Sequence, residues 1–322
     1  LKALMHPDEY VKQMGLLQIE PFRPDQIPVV FVHGLMSSPA TWVNALNSVR
    51  ADPVIRDNYQ LFAFRYPTGF PIARNAAAFR QHIADFQNHF DPKGRNPNMR
   101  NMIFIGHSMG GILTNAQIRD SRDTITKLLF DRPIDQLGNV SPTQRQSILS
   151  ITTYKANPDI ARVIYLASPH RGSEMSTVRL GAIGRKLIKL PSKLIETQQL
   201  MQIDGLTAEG RRIINSRPDS IGSLNPDAPI LKAILEQPVR RGVKIHSIIG
   251  NHKMTSPVED STDTVVPYRS AHLESAVSEK VVNAKHTTIT HDPVAIEEVR
   301  RILYLHLGKP YKAPKPATSG SR

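Results

Sequence analysis

Short, mostly apolar runs recur along the chain, each followed by a polar or helically spaced stretch. They are Pro28-Val-Val-Phe-Val-His33, Tyr59-Gln-Leu-Phe-Ala-Phe-Arg65, Met102-Ile-Phe-Ile105, Arg162-Val-Ile-Tyr-Leu-Ala-Ser168, Lys244-Ile-His-Ser-Ile-Ile-Gly250 and Lys280-Val-Val-Asn283. Runs that do not alternate with polar residues suit strands covered on both faces, as in a parallel sheet. Between them, residues 72–90 place Phe79, Ile83, Phe86 and Phe90 at three- and four-residue steps, which predicts a long helix with one core-facing stripe. A second helix is expected from Thr41 to Val49, with Trp42 packed at its start, and a closing helix from His291 to Leu307, opened by Asp292-Pro293 in the order cap then first turn. Strands alternating with helices imply right-handed crossovers and an α/β domain, a mostly parallel central sheet flanked by helices.

The remaining segments lack this pattern. Residues 1–24 carry three prolines and no clear period, and read as an arm laid over the domain. The domain itself spans residues 25–308. It is interrupted by two insertions, a polar helical one over about 119–155 and a second over about 172–238 that carries no strand signal and is expected to stand above the sheet as a cap or lid. Residues 309–322 form a Pro/Lys/Ser tail of disordered type.

The apolar run at 102–105 passes directly into Gly106-His107-Ser108-Met109-Gly110 and then into a helical pattern. Strand, sharp turn and helix around Gly-x-Ser-x-Gly is the setting of a nucleophile elbow. A serine held in strained geometry there leaves no room for a bulky Cβ two residues before or after it. A serine hydroxyl is a poor nucleophile at neutral pH, so it needs a base to take its proton and an acid to orient that base, both at the ends of later strands.

For the acid, the loop after the strand ending at Gly250 offers Glu259, Asp260 and Asp263. Asp263 is preferred, because Val265-Val266-Pro267 would pin its loop against the core while the other two face solvent. For the base, position removes most of the twelve histidines. His6, His82, His89 and His306 fall in the arm or on helices, and His33 and His107 sit beside glycines in sharp turns. His286 lies between the last strand and the last helix, where a loop residue can reach over the elbow. His291 is the alternative, but it abuts the helix cap at Asp292. The developing oxyanion needs two backbone N–H donors, expected from Met109, after the nucleophile, and from Leu35, in the loop after the first core strand.

Composition narrows the chemistry further. Cysteine is absent, which excludes disulfides, thiolate nucleophiles and cysteine-ligated metals. The 41 Lys and Arg against 28 Asp and Glu give +13, a bias towards anionic surfaces. No helix-turn-helix, zinc finger or RNP-like signature accompanies it, so a nucleic-acid role is not expected. No apolar run approaches a membrane span, and residues 1–20 lack the apolar centre of a signal peptide. The chain begins with leucine, consistent with a processed protein, exported in a bacterium, whose targeting segment is missing.

Together, His33-Gly34-Leu35, Gly106-His107-Ser108-Met109-Gly110, Ser168-Pro169-His170-Arg171-Gly172-Ser173, Asp263-Thr264-Val265-Val266-Pro267 and His286 resemble the α/β-hydrolase superfamily, specifically bacterial lipase-like esterases, over roughly residues 25–308. The resemblance implies Ser108 as nucleophile, His286 as base, Asp263 as its orienter, and Leu35 and Met109 as oxyanion donors. It implies no cofactor and no metal, and neither the disulfide nor the calcium site of some lipases is carried over.

The implied activity is hydrolysis of a small-molecule or lipid ester through an acyl-enzyme. The alternatives are acyl transfer to an acceptor other than water, and a non-catalytic binding module. Residues 178–195 contain no acid, carry Arg179, Arg185, Lys186, Lys189 and Lys193, and space Leu180, Ile183, Leu187, Leu190 and Leu194 as a helix would. Such a basic amphipathic segment suits a lid that meets anionic lipid, or a cap helix packed on the domain, with Pro191 interrupting any single long helix.

Overall fold

The computed structural model describes residues 11–174, 200–216 and 219–313. Among them, strands β1 (Gly15–Gln18), β2 (Ile27–Val32), β3 (Tyr59–Arg65), β4 (Met102–His107), β5 (Ile160–Leu166), β6 (Lys244–Gly250) and β7 (Ser278–Val282) form one sheet in the order β1-β3-β2-β4-β5-β6-β7. Every neighbouring pair is parallel except β1 with β3. The helices are α1 (Val43–Ala51), α2 (Pro53–Asn58), α3 (Ile72–Phe90), α4 (Met109–Asn115), α5 (Thr124–Leu129), α6 (Pro142–Thr152), α7 (Ala208–Asn215), α8 (Pro229–Leu235), α9 (Tyr268–Ala271) and α10 (Pro293–His306).

The mostly apolar runs have their expected cause. Alternate residues of one strand enter different cores: Val30, Val32, Phe104, Val163 and Tyr165 pack with α3 and α4 on one face, and Val29, Phe31, Ile103, Ile105 and Ile164 pack with α1 and α10 on the other. Trp42 is fully buried at the start of α1, its ring edge-on to Phe31 at 5.2 Å. The parallel register sets Val32 beside Gly106, Gly106 beside Tyr165, Leu166 beside Ile248 and Gly250 beside Val282. The loops leaving β2, β4, β5, β6 and β7 therefore gather at one edge, where ligand sites of parallel sheets form.

Several boundaries differ from the sequence reading. The arm contributes β1, which pairs Gly15 with Arg65 and Gln18 with Phe62; four partly exposed residues on a sheet edge show no periodicity to read. β5 ends two residues early, because Ala167 takes φ 48° and turns the chain out of the ladder. The insertions are tied together by a small core of Phe130, Ile134, Leu137, Ile148, Ile203 and Leu206 and by bridges Phe130–Leu206 and Gly138–Asp204. Within the second insertion, Leu231 and Ile234 of α8 join the main core rather than standing clear of it. The basic segment 178–195 lies outside the described residues. Lys309–Ala313, read as tail, continue in place from α10: the Lys309 amide donates to the Tyr304 carbonyl and Tyr311 Oη to Glu297. Among the described residues, no helix is long and apolar enough to cross a membrane.

Candidate active site

β4 delivers Ser108 to the gathering edge at φ 53° and ψ −125°, a conformation that a residue with a Cβ adopts only under strain. The turn is closed by the Ser108 amide donating to the Leu166 carbonyl (2.9 Å) and the Gly111 amide donating to the Ser108 carbonyl (2.9 Å). The flanking glycines are obligatory on space alone. A Cβ on Gly106 would lie 2.5 Å from the Gly111 Cα, and one on Gly110 would lie 2.3 Å from the Val32 carbonyl oxygen. Gly111, outside the motif, is equally confined, since its Cβ would fall 1.8 Å from Ser168 Oγ.

Two loops converge on the serine. His286, after β7, sets Nε2 2.9 Å from Ser108 Oγ and Nδ1 2.7 Å from Asp263 Oδ2. Asp263, after β6, is 1 % exposed, and its Oδ1 accepts the amides of Val265 (2.9 Å) and Val266 (2.6 Å). The carboxylate is thus aimed by the backbone of the apolar segment expected to pin it. The His286 amide in turn donates to the Asp263 carbonyl (2.8 Å), so acid and base loops are joined by backbone as well as side chain. With Asp263 accepting at Nδ1–H, Nε2 is left as an acceptor for the serine proton. A hydroxyl, an imidazole and a carboxylate in this order can generate a nucleophile and return its proton to a leaving group.

The rival candidates stand elsewhere. His291 is exposed and its Nδ1 meets Asn44 Nδ2 at 3.1 Å. Asp260 is an exposed partner of Arg269 at 2.9 Å. Leu35 follows Gly34, whose backbone runs so close to the nucleophile that an added Cβ would meet Ser108 Cβ at 2.9 Å. Met109 is the first residue of α4, where a backbone N–H has no partner within the helix.

His107 does more than fill a turn. Its Nε2 lies 3.0 Å from the His286 carbonyl oxygen, an acceptor only, so Nε2 carries the hydrogen and ties the elbow to the base loop. Burial, with the neighbouring His286 imidazole adding to it, holds His107 well below the usual histidine range, so the ring is neutral. No sequence signal separated this role from backbone geometry. His33, pushed down to about 4 by burial, gives Nδ1–H to the Gly34 carbonyl (3.0 Å) and stacks on Tyr66, whose Oη donates to the His33 carbonyl (2.6 Å). Among the described residues, no three His, Asp or Glu side chains converge as metal ligands would.

A family model described as "Alpha/beta hydrolase family" matches residues 29–301. Among solved structures, the chain is similar to the mature form of the Bacillus licheniformis lipase BlEst2, at 16 % identity and a TM-score of 0.51, covering 89 % of this chain and 97 % of that one. The propeptide form of that lipase is similar at 15 % identity and a TM-score of 0.52, covering 94 % of this chain and 55 % of that one. Identities this low bear on the fold alone. No curated protein matches the chain in sequence. Elbow, sheet order and a match over most of its length agree, and the chain belongs to the alpha/beta hydrolase family.

Proposed function

We propose that the protein is a serine carboxylic-ester hydrolase, an esterase or lipase working through an acyl-enzyme. The observation that carries this reading is Ser108 Oγ, strained and 6 % exposed, 2.9 Å from an imidazole whose other nitrogen is held by a buried carboxylate. His286 Nε2 removes the Ser108 proton as Oγ bonds to the acyl carbon. The carbonyl oxygen, now anionic, is met by the Leu35 and Met109 amides; each such donor typically contributes about 2.7–4 kcal/mol to the transition state. Collapse breaks the ester C–O bond, and His286 passes the proton to the departing alcohol. Water then attacks the acyl carbon by the same route in reverse. Asp263 fixes the tautomer and stabilises the transient imidazolium.

The test is hydrolysis of p-nitrophenyl butyrate by the parent and by Ser108→Ala, with mass spectrometry after a serine-directed phosphonate. The parent turns over and gains one phosphonyl group on Ser108, and the variant loses activity by on the order of 10⁴-fold or more. A variant within tenfold of the parent would sink the assignment. A chain-length series of the same esters, monomeric and emulsified, then separates esterase from lipase.

A further inference from the structure

A cleft of about 410 Å³ opens beside the far end of α4. Asn115, which lines it, is 115 − 108 = 7 residues beyond the nucleophile, or ~10 Å along the helix axis. Arg119 and His170 line it too, 7 % and 5 % exposed. Arg119 Nε donates to Asn115 Oδ1 (2.7 Å) and Nη1 donates to the Gln237 carbonyl, but among the described residues no carboxylate pairs with it. A buried cation without a counterion is an incomplete arrangement, because desolvation is ordinarily offset by an opposite charge.

The neighbouring imidazole is incomplete in a complementary way. Since Asn115 Oδ1 faces Arg119, its Nδ2–H₂ faces His170 Nδ1 at 3.1 Å, making Nδ1 the acceptor and leaving the hydrogen on Nε2. That buried Nε2–H has no partner among the described residues. Burial, with the charges of Arg119 and Arg171 adding to it, holds His170 down at about 3, so it stays a neutral N–H donor at working pH. The Tyr165 hydroxyl, whose ring lies 4.5 Å from the His170 ring, is a further buried polar group without a partner among the described residues. Other walls of the cleft are apolar, from Leu231, Leu235 and Leu273. Lys232 there is already paired with Asp227, and among the described residues Glu236 is the one carboxylate lining the cleft, which disfavours a dianion.

We propose that this cleft binds an amphipathic monocarboxylate, its carboxylate on the Arg119 guanidinium and the His170 Nε2–H and its aliphatic chain along Leu231, Leu235 and Leu273. The site is separate from Ser108 and does not depend on the hydrolytic reading.

The test is calorimetric titration of the full chain with octanoate, octanol and inorganic phosphate. Octanoate binds saturably with a Kd of about 1 mM or tighter, and octanol does not. Arg119→Gln weakens octanoate at least tenfold. Leu235→Trp, which fills the cleft from its rim, does the same while leaving the far-UV spectrum and p-nitrophenyl butyrate hydrolysis unchanged, and it decides the matter alone if Arg119→Gln does not fold. The proposal is overturned by no saturable octanoate binding to the parent, by Leu235→Trp binding as tightly as the parent, by octanol matching octanoate, or by phosphate binding more tightly.

Discussion

Asp263→Asn isolates the role of one carboxylate oxygen. Asp263 Oδ1 accepts two backbone amides and Oδ2 accepts His286 Nδ1–H. An asparagine offers one oxygen and one NH₂. Placing the NH₂ against the Val265 and Val266 amides would oppose donor to donor at 2.9 and 2.6 Å, so the amide oxygen stays there and the NH₂ turns to His286. Nδ1 must then accept, the hydrogen moves to Nε2, and the imidazole can no longer take a proton from Ser108 Oγ. A wrong tautomer in a Ser-His-Asp arrangement costs on the order of 10⁴ in kcat, or ~5.4 kcal/mol at 1.36 kcal/mol per decade.

Fold and substrate binding should not change. The backbone amides keep their acceptor, so the fold persists, and KM for p-nitrophenyl butyrate moves little because no substrate contact is lost. Steady-state kinetics, with a thermal melt as control for folding, measure both. Asp260→Asn, at an exposed residue paired with Arg269, serves as the inert comparison. A loss of kcat below tenfold in a folded Asp263→Asn protein, or an equal loss in Asp260→Asn, would refute the tautomer argument.

Three further outcomes follow from the geometry. Gly110→Ala drives a Cβ to 2.3 Å from the Val32 carbonyl oxygen, a backbone atom that cannot swing aside, and should destabilise by about 3 kcal/mol or more; a melting temperature within ~2 °C of the parent would contradict it. His107→Ala removes the donor to the His286 carbonyl and lets the base loop drift, lowering kcat tenfold or more, up to ~10², with little change in KM; unchanged kcat would show that the loop is held without it. His33 and His170 are buried and neutral, with pKa values depressed to about 4 and about 3 against 6.5 when unfolded. The unfolded chain therefore binds more protons below pH 6.5, so stability is lost as pH falls from there towards the folded values, by about 2 kcal/mol for each histidine between pH 7 and 5; melting temperatures equal at the two pH values would refute this.

What could be read in advance was what local sequence controls. The elbow is legible because strand, turn and helix are contiguous and the glycines at 106 and 110 answer a local steric demand. β2, β3 and β6 are legible because burial on both faces leaves short runs that are mostly apolar. The choice between His286 and His291 was not settled by sequence, since both follow β7 closely. In the structure the His286 amide donates to the Asp263 carbonyl, a contact across 23 residues, whereas His291 meets Asn44. Asn115 and Arg119 stand four residues apart and His170 falls in the Ser168–Ser173 motif, but nothing in the sequence brings that pair to the histidine, a meeting across 55 residues.

The loop Ser168–Ser173, recognisable in sequence yet without an evident task, holds the segment that carries the Asp263 carboxylate without touching that carboxylate. Ser168 Oγ occupies the space that Gly111 leaves by lacking a Cβ, which seats the loop against the elbow helix. Its far end then grips the acid loop on both sides of Pro267: Ser173 Oγ donates to the Val265 carbonyl, and Ser270 Oγ donates to the Gly172 carbonyl while accepting the Arg171 amide at 3.2 Å. Arg171 Nη1 adds donations to the Arg269 and His272 carbonyls, each 2.7 Å. Val265 is the same residue whose amide aims Asp263 Oδ1, so one peptide segment is fixed from its carbonyl side by the β5 loop and from its amide side by the carboxylate. Ser108, Asp263 and His286 come from three loops, and this fourth loop makes the placing of the first two a property of the sheet edge rather than of loop flexibility.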